Sequence, residues 1–152
     1  MGLRAKIDKI LANILICIMA LMVINVLWQV FSRYLMGSPS SFTDELARYL
    51  MIWVGILGAA YVSGKKGHVA IDVFLRKLSP VPQKRLRLFI DLLISLFSLT
   101  ALVIGGGRLV YITYVLEQYS PAMQLPLAVV YAVIPVSGVL IIYYKIYDMI
   151  NN

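Results

Sequence analysis

The sequence predicts an all-α membrane protein with four transmembrane helices, short interfacial amphipathic helices and both termini on the cytoplasmic side. Three observations lead there. Of the 152 residues, 61% are hydrophobic and only 14% charged, whereas soluble domains carry about 25% charged residues; mean hydropathy is +0.87. Four charge-poor runs approach the roughly 20 residues needed to cross a hydrocarbon core. Lysines and arginines also gather strongly on one side of those runs. Disorder is excluded with the soluble globule, because disordered chains are rich in charge and poor in aromatics.

The first span covers residues 10–31, between Lys9 and Arg33. Arg4, Lys6 and Lys9 before an apolar run mimic a secretory signal, but the run is too long and lacks a small-residue cleavage site, so a retained helix is expected. The next uncharged run, 49–63, is short. It reaches full length, 42–63, if its helix starts near Ser41: Ser41 and Asp44 have capping-box spacing, and Phe42, Leu46, Tyr49 and Trp53 continue one apolar face. The third span, 88–107, is interrupted only by Asp91 and can continue past Arg108 toward Glu117, before Ser120 and Pro121 break it. The fourth, 125–144, has Pro126 as a helix start and Pro135, with Gly138, as a kink. No span is expected to be broken by a central glycine and proline pair. The whole of 1–152 reads as a single integral membrane domain.

Eleven cations (Arg4, Lys6, Lys9, Lys65, Lys66, Arg76, Lys77, Lys84, Arg85, Arg87, Lys145) fall on one side of the spans, and three (Arg33, Arg48, Arg108) on the other. The richer side should be cytoplasmic. The net charge of +7 is thus spent on membrane flanks, and no nucleic-acid partner is expected. In the cytoplasmic loop, His68, Asp72 and Arg76 recur at i, i+4 while Val69, Val73, Phe74 and Leu78 fall elsewhere, which predicts a short helix over 69–78 in the headgroup plane. Lys84, Arg85 and Arg87 form a basic collar for anionic membrane lipids.

Candidate chemistry is sparse. One cysteine, Cys17, excludes an internal disulfide, and one histidine, His68, excludes a multi-imidazole metal or haem site; no cofactor is expected. Asp91 is the one carboxylate inside a span, with Ser95 and Ser98 on its face. It reads either as a proton or cation site or, preferably, as a structural group near the interface paired with Arg87 or another basic residue. Asn25, Gln29 and Arg33 form a stripe that could line an aqueous path, but amides more often join helices. Asp44 reaches Arg48 at i, i+4, which leaves Glu45 for Arg33 across the short outer loop. Gly55, Ala59 and Ser63 make a small-residue stripe suited to close helix approach. His68 and Asp72 could orient one another, but no nucleophile accompanies them.

Arg33-Tyr34-Leu35-Met36-Gly37, then Phe42-Thr43-Asp44-Glu45-Leu46-Ala47-Arg48-Tyr49, then Trp53 and Gly58-Ala59-Ala60, together resemble the signature of the small membrane subunit of tripartite ATP-independent periplasmic (TRAP) transporters, the DctQ-like family. His68-Val69-Ala70-Ile71-Asp72, Pro126 and Ile134-Pro135-Val136 match further motifs, so the resemblance covers nearly the whole chain. Phe42 stands where the family often has tryptophan, which keeps the apolar anchor.

The resemblance implies a non-catalytic subunit of a secondary importer in the bacterial inner membrane. Its partners would be a large, elevator-type DctM-like subunit and a periplasmic solute-binding protein. Sodium coupling would lie on the large subunit, with organic acids of the C4-dicarboxylate or sialic acid type as cargo. Because the sequence stops soon after its fourth span, the unfused kind of subunit is expected. Asn25, Gln29, Arg33, Asp44, Glu45, Arg48, Gly55 and Ala59 become candidates for the subunit interface or for docking the binding protein. His68, Asp72, Lys84, Arg85, Arg87 and Asp91 become structural or lipid-facing. The alternative is a free-standing four-helix transporter or channel.

Overall fold

A computed structural model describes residues 2–37, 40–65 and 80–150. The interfacial helix expected over 69–78, with His68 and Asp72, lies outside the described residues. Among the described residues the protein is all-helical, and four helical stretches are long and apolar enough to cross a membrane. They are α1 (Leu3–Leu35), α2 (Ser41–Gly64), a long third rod and a divided fourth. The rod comprises α3 (Pro80–Phe97), a π-helical segment (Ser98–Gly105) and α4 (Gly106–Val115). The fourth comprises α5 (Leu127–Tyr131) and α6 (Val133–Ile150).

With 33 residues, α1 is about 50 Å long at 1.5 Å per residue and exceeds a hydrocarbon core at both ends. Its buried residues are Leu11, Ile18, Asn25 and Ser32, one every seventh position. That is the seam of a left-handed two-helix coil, and among the described residues α2 is the only helix whose backbone lies close to it. The start of α2 departs from the expected capping box. Ser40 is the N-cap without a side-chain hydrogen bond, because Asp44 is turned outward to Arg48 and Gln29 and Thr43 Oγ1 donates to the Ser40 carbonyl instead.

The four stretches form a row rather than a closed bundle: α1 lies on α2, α2 on α6, and α6 on the rod of α3, the π segment and α4. Two backbone irregularities meet at the α6–rod junction. In the rod, the Thr100 hydroxyl donates to the Leu96 carbonyl, competing with the α-helical bond, and the Gly106 N–H reaches back to the Ala101 carbonyl, the five-residue step of a π-helix. In the last stretch, Pro135 cannot donate to the Tyr131 carbonyl and crowds it, and the helix is interrupted between Tyr131 and Val133. The kink expected at Pro135 therefore takes the form of a break one turn earlier.

Glycines let these elements approach. A Cβ on Gly138 would stand 2.7 Å from Leu102 Cβ and 3.2 Å from the Val103 nitrogen, one on Gly106 2.7 Å from Ile134 Cγ2, and one on Gly64 2.7 Å from the Tyr144 ring. Gly55 meets nothing within 4 Å, and Ala59 is also exposed. The close packing within the chain thus lies on glycines outside the Gly55–Ala59 stripe.

Gly138→Val should therefore destabilise the detergent-solubilised chain by about 1–3 kcal/mol, the usual cost of overpacking, whereas Gly55→Val should stay within about 0.5 kcal/mol. Thermal melts followed by the monodisperse fraction on size exclusion distinguish the two.

Candidate functional site

Polar side chains concentrate at the two ends of the row, with an apolar cleft between them. At the end carrying both termini, Arg4 of α1 donates to Asp148 of α6 at 2.7 Å and to the Gly64 carbonyl of α2 at 2.5 Å. Its guanidinium also lies 4.9 Å from the Tyr147 ring centroid, within cation–π range. Tyr144, fully buried, donates its hydroxyl to Asp8 at 2.7 Å, and Lys65 approaches the same carboxylate at 3.6 Å. Lys145, next to Tyr144 on α6, pairs with Asp91 of α3 at 3.0 Å, with side chains only 4% and 9% exposed. These bonds tie α1, α2, α3 and α6 together at one level.

At the opposite end, Asn25 donates to the Thr43 carbonyl at 2.7 Å and Gln29 to Asp44 at 3.1 Å, so two members of the amide stripe join α1 to α2. Asp44 also accepts from Arg48 at 2.6 Å, the expected i, i+4 pair. Glu45 corrects the expectation that it meets Arg33. Its carboxylate accepts from the backbone N–H groups of Ala122, at 3.1 Å to each oxygen, and Met123, at 3.0 Å. Those donors sit at the tip of a hook between α4 and α5. The hook is closed by Ser120 N–H to the Leu125 carbonyl and Leu127 N–H to the Gln118 carbonyl, both at 2.9 Å, with Glu117 and Gln124 at positive φ. Arg33 is exposed at the end of α1.

Between the two ends, α1 and α5–α6 flank α2 without their backbones meeting. The gap holds two apolar hollows, of about 400 Å³ and about 520 Å³, that share Ile14 and Trp53. Trp53 anchors the far wall by donating its indole N–H to the Val130 carbonyl at 3.1 Å.

Asp91 is thus paired, with Lys145 rather than Arg87 as its counter-ion. Lys84 and Arg85 are exposed and Arg87 half-buried. Sequence reasoning missed the clasp at the termini. Arg4 and Lys145 counted only as flanking charges, while Asp8, Tyr144 and Asp148 were given no role. The available signal was acidic residues standing inside basic flanks. Among the described residues, no group of three or more His, Cys, Asp or Glu side chains is placed to hold a metal ion.

A family model described as the DctQ component of tripartite ATP-independent periplasmic transporters matches residues 11–152. The chain belongs to this family. A protein of Haemophilus influenzae named as a TRAP transporter small permease is 32% identical over 135 residues, covering 89% of this chain and 82% of that one. The sialic acid TRAP transporter small permease protein SiaQ of Vibrio cholerae is 35% identical over 106 residues, 68% of this chain and 60% of that one. The isethionate TRAP transporter permease protein DctMQ of Oleidesulfovibrio alaskensis is 26% identical over 102 residues, which are 66% of this chain but only 16% of that much longer protein. Small permeases of this family work with a large permease subunit, and in such relatives the two are fused. The TRAP signature around Asp44, Glu45 and Arg48 thus coincides with the residues that bond α2 to α1, through Asp44, and to the hook, through Glu45, with Arg48 holding Asp44.

Lys145→Met should leave the Asp91 carboxylate buried and uncompensated, lowering stability by about 3–5 kcal/mol, whereas Lys145→Met with Asp91→Leu should recover most of that loss. Parallel melts of the two variants check the ordering.

Proposed function

We propose that this TRAP small permease is a non-catalytic, stationary scaffold. It holds an elevator-type large permease in the bacterial inner membrane for sodium-gradient-driven import of an organic acid brought by a periplasmic binding protein. The observation that carries the scaffold reading is the state of Asp91: a carboxylate inside the span, buried and held at 3.0 Å by Lys145. A coupling carboxylate has to exchange its cation during transport, whereas a paired one fixes two helices. Coupling sites also lie near the midplane on broken helices, and this pair lies among the polar groups at the termini end. The relatives' names differ in cargo, sialic acid for one and isethionate for another, which supports an organic anion recognised mainly by the other two proteins.

The eleven-to-three cation imbalance supports cytoplasmic termini. The hook and Arg33, Glu45 and Arg48 then face the periplasm, where charges govern the encounter with a soluble partner more than its affinity. In a Cys17→Ser background, Gln118→Cys in intact cells should react with impermeant maleimide and Lys84→Cys should not; the reverse pattern overturns the orientation.

Reconstitution tests the division of labour. In liposomes with an imposed sodium gradient, the chain alone should move no organic acid, and the chain with the large permease and binding protein should accumulate it. Asp91→Asn should leave the sodium stoichiometry of the full complex unchanged. Flux from the isolated chain that disappears with Asp91→Asn sinks the scaffold reading in favour of a free-standing transporter.

A further inference from the structure

We propose that the π-helical turn over Ser98–Gly105 is a register device: it takes up one surplus residue in the rod, so that Asp91 before it and Gly106 after it both face α6.

The surplus is visible in the spacing of the buried positions. Asp91 and Ser98 are buried seven residues apart, and so are Gly106 and Thr113. Seven residues of α-helix return to the same face within about 20°. Ser98 and Gly106, however, stand eight apart, and one extra α-helical residue turns the face by about 100°. The half-buried residues locate the slip. Asp91, Ser95 and Ser98 stand at i, i+4 and i+7, while Leu102, Gly106, Val110 and Thr113 stand at i, i+4, i+8 and i+11, each an ordinary helical face. The two faces share one phase only if a residue between Ser98 and Leu102 is left out of the count.

Both faces have partners on α6. Asp91 pairs with the buried Lys145 at 3.0 Å, Leu102 and Val103 pack where Gly138 has no side chain, and Gly106 in turn admits Ile134 and Pro135. In an uninterrupted α-helix, one set would turn away from α6 by about 100°, and either Lys145 would lose its counter-ion or the glycines their fit. A five-residue step absorbs the surplus, and the bond from the Gly106 N–H to the Ala101 carbonyl is such a step. On the exposed side, the Thr100 hydroxyl donates to the Leu96 and Phe97 carbonyls at 2.9 and 3.4 Å, which holds the turn open. With a contact fixed on either side of it, the π turn sets the angle of α4, and of the hook that follows, and does not act as a hinge.

The test uses the full chain in a Cys17→Ser background, with nitroxide pairs at Tyr111→Cys and Met51→Cys, or Tyr111→Cys and Ile146→Cys, all at exposed positions on α4, α2 and α6. Deleting Thr100 or Leu99, both exposed, restores the seven-residue spacing. Both pulsed-EPR distances should then stay within about 1.5 Å of the parent, the rise of one residue, with distributions as narrow as before. Rotation of α4 by about 100° would carry Tyr111 about 8 Å around a helix whose radius with side chains is about 5–6 Å; a change of that size in either distance overturns the proposal. So does a parent distribution with two populations that the deletion merges into one, the mark of a hinge. Where one deletion fails to give monodisperse protein the other is read, and failure of both overturns the proposal, because an uninterrupted helix then cannot reproduce the fold. Deleting Val139, exposed on the unbroken α6, should abolish the monodisperse fraction; its retention overturns the assignment of the slack to the π turn.

Discussion

In hydrocarbon a charge without a partner is the costliest feature a helix can carry, and the last helix of this protein carries two into its packed interior. Lys145 and Asp148 are both buried. Lys145 is answered by Asp91 on α3 and Asp148 by Arg4 on α1, so the groups that make α6 expensive to insert also tie it to the rod and to the start of α1. Tyr144, next to Lys145 and one turn before Asp148, fills the space left by Gly64 and donates to Asp8. Loss of either Lys145 or Asp91 leaves the other charge buried without its counter-ion. The clasp therefore specifies which helix ends meet more than it contributes net stability, since buried pairs repay little beyond their own desolvation.

Between the polar groups at the two ends, the helices are held mainly by packing, with the Trp53–Val130 hydrogen bond as the exception. Lipid tails are as apolar as leucine, so packing in a bilayer depends on close fit. That fit exists along the α6–rod junction, where Gly138 and Gly106 admit side chains and backbone of the opposite element. It exists also along the heptad seam of α1 on α2. It is missing between α1 and α5–α6. The result is a row whose first helix is held by one seam, by Asn25 and Gln29 at one end and by Arg4 and Asp8 at the other.

The four spans were legible because the bilayer imposes a length and a composition that few other structures share, and the flanking cations mark where each ends. Pairings at long sequence separation were not legible. Asp91 invited a basic neighbour, but nothing in its surroundings singled out Lys145 over Arg87. Glu45 was misassigned for a more general reason: its partners are the backbone N–H groups of Ala122 and Met123, and every residue except proline carries one. Only the hook's tertiary position makes those two available. The Gly55–Ala59 stripe shows the converse. Small residues at helical spacing permit close approach without requiring it, so spacing alone could not separate them from Gly64, Gly106 and Gly138, which are packed.

An open row is a poor design for a protein that must move. A transporter in a membrane changes state by rocking packed units against each other around a fixed site, which demands two alternative packings of comparable energy. Here the polar clasp at the termini, the Glu45-pinned hook and the glycine-mediated junction of α6 with the rod are each satisfied in one arrangement. Shifting α6 by a turn would unpair Lys145, Asp148 and Tyr144 together. Rigidity of this kind suits a fixed frame against which a separate subunit travels. The exposed apolar flanks that the row leaves open are surface that a bilayer or a partner helix can cover.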